Sequence, residues 1–133
     1  MNLRANSTFR AGSWAAFEAK LVPKLRAAAQ SAAKAVLAHS QSLVPVDTGA
    51  LKDSGKTSVS WTGTKVTGSV VYTEHYAAYV EFGTGRRGAE SSGRGPYPYK
   101  ADWPGMPAQP YVRPALDLGR QDAIDAFRAA LGL

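Results

Sequence analysis

The chain lacks cysteine altogether and has only two histidines among its 133 residues. Without cysteine it can form no disulfide bond and no thiolate metal site, and it has no cysteine nucleophile. Two histidines are too few for a histidine-rich metal centre. No stretch approaches the ~18–20 apolar residues that a membrane-spanning helix needs, and residues 1–6 lack the apolar segment of a signal peptide. The sequence therefore predicts a soluble, non-secreted protein with no cofactor and no membrane contact.

Basic residues outnumber acidic ones, 16 to 10, which gives a formal net charge of +6. They are spread along the chain, and the longest basic run is the pair Arg86-Arg87. Proteins that read duplex DNA usually gather their basic residues on one element. A diffuse positive charge instead suits a protein that lies near a polyanion without reading its sequence. The length predicts one domain over residues 1–133.

Residues 13–42 are rich in alanine and repeat apolar side chains every three or four positions, which predicts a long α-helix with one apolar face. Ser13 is the expected N-cap. Pro23 removes one backbone N–H, so we expect a kink or a break into two helices, and the unbroken phase of the apolar face favours the kink. That face comprises Trp14, Phe17, Leu21, Leu25, Ala28, Ala32, Val36, His39 and Leu43. The opposite face carries Lys20, Lys24, Lys34 and Gln30.

A β-hairpin is predicted over residues 56–72, because β-branched and aromatic side chains alternate there with polar ones. The turn is expected near Gly63-Thr64, and Gly68 is expected to mark a bulge in the second strand. For residues 73–82 the pattern favours a short helix capped by Thr73, and an extended conformation remains an alternative.

Two further helices are predicted on either side of these elements. A short one over residues 48–53 is expected to be capped by Asp47 or Thr48. A longer one covers residues 114–131, with Pro114 at its first position, where a proline costs no hydrogen bond. The predicted fold class is α+β: a long N-terminal helix, a small antiparallel hairpin sheet, a short helix, an extended arm and a C-terminal helix.

The arm comes from residues 83–108, which contain 6 of the 13 glycines and 4 of the 8 prolines and are predicted to be irregular. Irregular segments of this length are usually functional or disordered, and disordered segments are poor in aromatic residues. Because this one holds several aromatic residues, we expect an extended arm at about 85–108 that orders against a partner. The candidate interface residues are Arg86, Arg87, Arg94, Tyr97, Tyr99, Trp103 and Met106.

Candidate chemistry is sparse. Residues 83–88 match the G-x-G-x-x-G pattern, but the residues after them do not favour the helix that a dinucleotide-binding loop requires, so a flexible turn is expected. His75 lies beside Glu74, and a hydrolase would need such groups and Asp102 to cluster in the fold. No residue is assigned a catalytic role, and an enzyme is not expected. The basic and aromatic arm suits protein contact or single-stranded nucleic acid, and composition alone does not decide between them.

Three sequence blocks occur in a specific order. Residues 44–54 contain P-V-D-T-G-A-L-K-D-S, residues 76–84 read Y-A-A-Y-V-E-F-G-T, and residues 109–116 begin Q-P-Y-V-R-P-A. Their order resembles that of the head–tail joining or tail-component family of tailed bacteriophages. The family pattern is P-x-D-T-G-x-L-x-x-S, then Y-x-x-Y-x-E-F-G-T, then Q-P-[FY]-x-R-P-A. The segment 85–108 departs from it in length and in glycine and proline content. The family has a variable loop there, so the contacts of this segment cannot be carried over.

The resemblance implies a non-enzymatic virion protein that forms a ring, most simply a hexamer of identical subunits, at the head–tail junction. Its partners would be the head-closure or connector proteins and the tail tube protein, with transient, non-specific contact to the DNA that passes through. It would lie in the virion, and in the host cytoplasm during assembly. A basic nucleic-acid-binding accessory protein is the alternative.

Most residues of the three blocks have a structural interpretation. Tyr76, Tyr79 and Phe82 are expected to pack the sheet against the helices, and Arg113 is expected to pair with Glu81. The full set of motif residues is Asp47, Thr48, Gly49, Tyr76, Tyr79, Glu81, Phe82, Gly83, Pro110, Arg113 and Pro114.

Overall fold

The computed structural model describes residues 11–62, 65–91 and 98–133, with side chains from residue 16 onward. In chain order the elements are α1 (Ala11–Leu43), α2 (Ala50–Asp53), β1 (Gly55–Thr62), β2 (Lys65–Tyr72), α3 (Ala77–Phe82), α4 (Gly85–Ser91), α5 (Val112–Leu118) and α6 (Arg120–Leu131). The predicted α+β class is confirmed. Within the described ranges, no helix is both long enough and apolar enough to cross a membrane.

Helix α1 packs against the hairpin on one side and against α5 and α6 on another. The predicted apolar face is confirmed in its central part, where a set of small and branched residues is buried: Leu25, Ala28, Ala29, Ala32, Ala33 and Val36. Phe17 and Leu43, nearer the ends, are each 40% exposed. The helix continues through Pro23 as one element, so a break into two helices does not occur. The predicted Ser13 cap and the side chain of Trp14 lie outside the described residues.

Gln30 does not belong to the solvent-facing side of α1 where the sequence analysis placed it. Its Nε2 donates a hydrogen bond of 2.9 Å to the Thr57 hydroxyl on β1. The lysines of that predicted face are all exposed, so the prediction holds for them. This hydrogen bond therefore adds to the contacts that hold the hairpin against the helix.

The hairpin over β1 and β2 is antiparallel with a continuous register in which Val59 faces Gly68. The predicted bulge at Gly68 was wrong. This glycine is needed for a different reason, because a Cβ built there would lie 2.7 Å from the backbone oxygen of Ala29 on α1. The strand thus lies directly on the helix backbone, and this close approach buries Val66 next to Leu25 and Ala29. The predicted turn at 63–64 lies outside the described residues.

Of the predicted helix caps, Asp47 and Thr73 were wrong, whereas Thr48 bonds the first N–H of its helix. Helix α2 begins at Ala50 after Gly49, which has φ of +87° and provides no side-chain cap, and Asp47 has no capping role. The Thr48 hydroxyl does accept a bond of 3.3 Å from the Ala50 N–H. Helix α3 starts at Ala77, so Thr73 is too far upstream to cap it, and the residue before the helix is Tyr76.

The predicted irregular segment over 83–108 was wrong at Gly85–Ser91, which forms α4. The predicted helix 114–131 was wrong at two points. It begins earlier, at Val112, so that Pro114 is its third residue, and it divides at Gly119 into α5 and α6. A Cβ at Gly119 would lie 2.6 Å from Val36 Cγ2 on α1, so the division lies where the chain passes close to that helix.

Candidate functional site

The three sequence blocks meet in one apolar cluster. Val44 and Leu51 come from the first block, Ala77 from the second and Tyr111 from the third, and all four are buried together. Tyr72 of β2 places its ring edge-on against Tyr111, with the centroids 4.9 Å apart. The partly buried residues around the cluster are Tyr72, Tyr76, Val80 and Val112. The predicted packing role of Tyr76 is therefore confirmed.

Glu81 joins the second block to the third. Its side chain is buried, with 5% of the residue exposed. Oε2 accepts the backbone N–H groups of Tyr111 at 2.7 Å and Val112 at 2.9 Å. Oε1 accepts the backbone N–H and the Nε–H of Arg113, both at 3.1 Å. The carboxylate thereby caps the first turn of α5, whose N–H groups have no partner within the helix.

Burial alone would raise the pKa of the Glu81 carboxyl, but the three backbone N–H groups and the Arg113 side chain outweigh burial and lower it. Burial raises the pKa of the Tyr111 hydroxyl, and the negative charge of Glu81 raises it further. That hydroxyl donates a bond of 3.1 Å to the Ala77 carbonyl. The cluster therefore holds an ionised carboxylate and a neutral phenol, both engaged in structural bonds.

The predicted pairing of Arg113 with Glu81 is confirmed by this geometry. The guanidinium carbon of Arg113 also lies 4.8 Å from the centroid of the Phe82 ring, within the range of a cation–π contact. Phe82 thus stabilises the arginine that bonds Glu81. Four donors occupy the two carboxylate oxygens, so the arrangement serves to join the blocks rather than to transfer a proton.

Residues 103–106 fold back onto the chain's own body. Thr84 and Met106 exchange two backbone hydrogen bonds, of 2.8 Å and 3.0 Å. The Arg86 N–H donates to the Trp103 carbonyl at 2.9 Å, and the Arg87 N–H donates to the Pro104 carbonyl at 2.9 Å. The described part of the predicted arm is therefore attached to the start of α4, and Met106 serves this attachment with its backbone.

The glycines of the G-x-G-x-x-G pattern make that attachment possible. Gly83 and Gly85 have φ of +72° and +59°, a conformation that glycine adopts without strain. A Cβ at Gly85 would lie 2.5 Å from the Trp103 carbonyl oxygen, and one at Gly88 would lie 2.6 Å from the carbonyl carbon of Gly83. Contrary to expectation, a helix does open at Gly85, but the element before the pattern is helix α3 rather than a strand. The dinucleotide-binding context is therefore absent from this segment.

The attachment leaves an open aromatic groove on the surface, about 450 Å³ in volume. We call it the aromatic groove, and it is lined by Tyr79, Gly83, Thr84, Gly85, Pro98, Tyr99, Lys100 and Trp103. Tyr79 and Trp103 are both 52% exposed. The prediction that Tyr79 packs the sheet against the helices was wrong, because its ring forms part of the groove instead. The Tyr99 hydroxyl donates to the Phe82 carbonyl at 2.9 Å, which holds this ring on the body.

The predicted interface residues therefore differ in their surroundings. Arg86, Arg87 and Trp103 are exposed. Tyr99 and Met106 take part in the chain's own fold. Arg94 and Tyr97 lie outside the described residues.

The candidate acid–base groups do not assemble into a metal-binding cluster. His75 is exposed, and its ring lies edge-on to that of Tyr76 at 5.2 Å. His39 is bonded through Nε2 to Asp122 at 2.9 Å, which ties α1 to α6. In ranges 11–62, 65–91 and 98–133, no group of three or more histidine, aspartate or glutamate side chains could hold a metal ion.

A family model described as "Bacteriophage HK97-gp10, putative tail-component" matches residues 15–83, just over half of the 133-residue chain. The chain belongs to this tail-component family. The resemblance drawn from the three sequence blocks is thus confirmed. No curated protein and no solved structure matches the chain.

The family match covers only part of the features described above. It includes α1 from residue 15 onward, α2, the hairpin and α3, and thus Glu81 and Tyr79 of this tail component. Helix α4, Trp103 and the backbone groups that Glu81 bonds in α5 lie beyond it. One carboxylate thereby links the matched part of the tail component to its C-terminal helices.

Proposed function

We propose that this tail component is a non-enzymatic subunit of an oligomeric ring at the head–tail junction of a bacteriophage, most simply a hexamer. The aromatic groove is the observation that carries the proposal. In this groove about half of the surface of Tyr79 and of Trp103 is exposed, and the Thr84–Met106 backbone hydrogen bonds hold the segment that carries Trp103 on the body. Tyrosine, tryptophan and arginine are the residues that most often anchor protein interfaces.

A ring also requires a second, different surface on each subunit, because contacts that close by rotation join unlike patches. Helices α5 and α6 offer one: Leu116, 54% exposed, and Phe127 line an open groove of about 320 Å³ beside α1 and β2. Neither residue lines the aromatic groove. The subunit thus has two separate apolar surfaces, as a head-to-tail ring demands.

The ring would join the head-closure or connector proteins to the tail tube protein and would line the passage of the DNA. The positive net charge of +6 supports a position near DNA. The subunit would lie in the virion, and in the host cytoplasm during assembly.

The experiment removes the two exposed rings of the groove. Trp103→Ala combined with Tyr79→Ala is expected to leave the chain folded, since both side chains are half exposed, and to abolish the oligomer. Native mass measurement of the protein, alone and mixed with tail tube subunits, reports this loss.

Val71→Ala is the matched control, because Val71 is 50% exposed on β2 and does not line the groove. The control is expected to assemble like the wild type. Unchanged assembly of the double variant would overturn the groove as a subunit contact. A wild-type chain that stays monomeric even with tail tube subunits would overturn the ring itself.

A further inference from the structure

One face of α1 carries lysines and no acidic residue. Lys20, Lys24 and Lys34 are all exposed, and separations of four and ten residues place them on one side of a helix with 3.6 residues per turn. The stripe extends over about 21 Å at 1.5 Å per residue. The side chains between the lysines along this line are small, namely Ala27 and Ser31. We call this surface the lysine stripe.

The lysines of the stripe have no ionic partner within the described part of the chain, where the three ion pairs involve other residues. Glu18 is the sole acidic residue of α1. It lies two residues before Lys20, which is about 200° around the helix, and so on nearly the opposite side. The positive charge of the stripe is therefore not neutralised by its own helix.

Acidic residues collect instead on the elements that pack against the other side of α1. Asp117, Asp122 and Asp125 all belong to α5 and α6, and both helices contact α1. Gly119, where the two helices meet, lies against Val36, and Val36 is about 160° around α1 from Lys20, on the side away from the stripe. The subunit thus presents a purely basic helix face on one side and an acid-containing pair of helices on another.

We propose that the lysine stripe contacts the phosphates of double-stranded DNA. This inference rests on the proposed function and adds to it which face of each subunit is turned toward the genome. A duplex carries one negative charge per about 1.7 Å of its axis, so three lysines over about 21 Å neutralise only a small fraction of the charge beside them. Each contact is weak, and repetition around a ring adds the contacts together.

The side chains of the stripe favour DNA over other acidic partners. A protein interface needs aromatic or large apolar anchors, and a helix that lies on a membrane needs bulky apolar residues beside its basic ones. Alanine and serine lie between the lysines, and the large apolar residue Phe17, 40% exposed, lies before the first lysine at the end of the stripe. No asparagine, glutamine or arginine lies between the lysines along this line to read base edges, so the contact is independent of sequence, as a passage for a whole genome requires.

The test compares two triple variants of the full chain that lose the same charge. Lys20→Gln, Lys24→Gln and Lys34→Gln together remove the stripe, and Lys52→Gln, Lys56→Gln and Lys65→Gln remove three exposed lysines elsewhere. Binding to a random-sequence duplex is measured across a series of salt concentrations. The logarithm of the DNA-binding constant falls linearly with the logarithm of the salt concentration. In the stripe variant this slope is expected to be shallower by about 2–3 for each subunit in contact. The control is expected to keep the wild-type slope.

The assembly state of both variants is measured in parallel by native mass. Normal assembly of the stripe variant with lost DNA binding supports the proposal. Equal loss of DNA binding in both variants, no DNA binding by the wild type, or loss of assembly in the stripe variant would overturn it. If the wild type binds DNA through the stripe but never forms an oligomer, the DNA contact stands and the ring is what fails.

Discussion

Glu81 shows how one side chain can join distant parts of a small chain. Its carboxylate bonds backbone N–H groups that lie 30 to 32 residues further along the chain. An unpaired buried carboxylate would cost several kcal/mol, so Glu81 depends on all four donors being present. In turn, those donors fix the start of α5 next to α3. Substituting the carboxylate should therefore affect stability more than a typical surface change.

Glu81→Gln is expected to lower the free energy of unfolding by about 2–4 kcal/mol at neutral pH, because it removes a charge that accepts four hydrogen bonds and turns an amide N–H₂ toward a donor. Urea unfolding measures the loss. Glu90→Gln, on the exposed side of α4, is the matched control and should change stability by less than about 0.5 kcal/mol. Equal effects of the two changes would contradict the role assigned to Glu81.

The pH dependence of stability follows from the lowered pKa of Glu81. The folded protein stabilises the ionised carboxylate more strongly than the unfolded chain does, and in the unfolded chain the pKa of this carboxyl is 4.5. The stabilisation is therefore complete above pH 4.5 and is lost as the pH falls through the folded pKa. The Glu81→Gln variant is expected to show a shallower loss of stability over that acidic range. An unchanged acid profile in the variant would show that Glu81 does not contribute to it.

Gly68 gives a second test at the level of one residue. Gly68→Ala would place a Cβ 2.7 Å from a backbone oxygen of α1, which cannot move without shifting the helix, so we expect a loss of about 1–3 kcal/mol. Gly55→Ala is the control in the same sheet, since the atoms nearest to a Cβ there belong to side chains rather than to backbone, with Leu37 Cδ1 at 2.7 Å and the Tyr72 ring at 3.0 Å. In thermal unfolding, the melting temperature of Gly68→Ala is expected to be lower than that of Gly55→Ala. The reverse order would contradict the close approach of hairpin and helix.

At the scale of elements, α1 organises the fold because its alanines let the hairpin and α6 approach closely. Pro23 is a weakness in this helix, since it removes a backbone hydrogen bond within the element. Pro23→Ala is expected to raise the free energy of unfolding by about 1–3 kcal/mol and to increase helicity measured by circular dichroism. Lys24→Ala, at the next exposed position, is the control, and it should change the free energy of unfolding and the helicity only slightly. A destabilised Pro23→Ala variant would contradict an unbroken α1.

The elements also show what the sequence could and could not predict. The apolar period in α1 and the alternation in the hairpin are local patterns, and both predicted their elements correctly. Helix α4 was missed because its two glycines suggest a loop, whereas Gly85 lets residues 103–105 approach closely and Gly88 lies against Gly83 and the Tyr99 ring. The division at Gly119 was missed for the same reason, since its cause is contact with Val36 on another element. Contacts between distant backbones leave no local pattern.

In the candidate site too, local sequence patterns predicted one feature and missed another that depends on distant contacts. The pairing of Arg113 with Glu81 was predictable because charge and sequence block suggested it, and the geometry agrees. The exposure of Tyr79 was not, because an aromatic residue in a helical period is usually buried. Tyr79 lines the groove together with Trp103, a distant residue whose segment is held there by the Thr84–Met106 pairing.

At the scale of the whole molecule, two apolar surfaces and one basic helix face lie on a body held by two buried clusters. We propose that the aromatic groove meets another copy of the chain. Because the chain has no cysteine, a single one introduced by Asp102→Cys, exposed beside Trp103, carries a photoreactive crosslinker at one defined place. In assembled particles, position 102 is expected to crosslink to a second copy of the chain, in a ladder that ends at the ring size. Crosslinks confined to the same chain would contradict it.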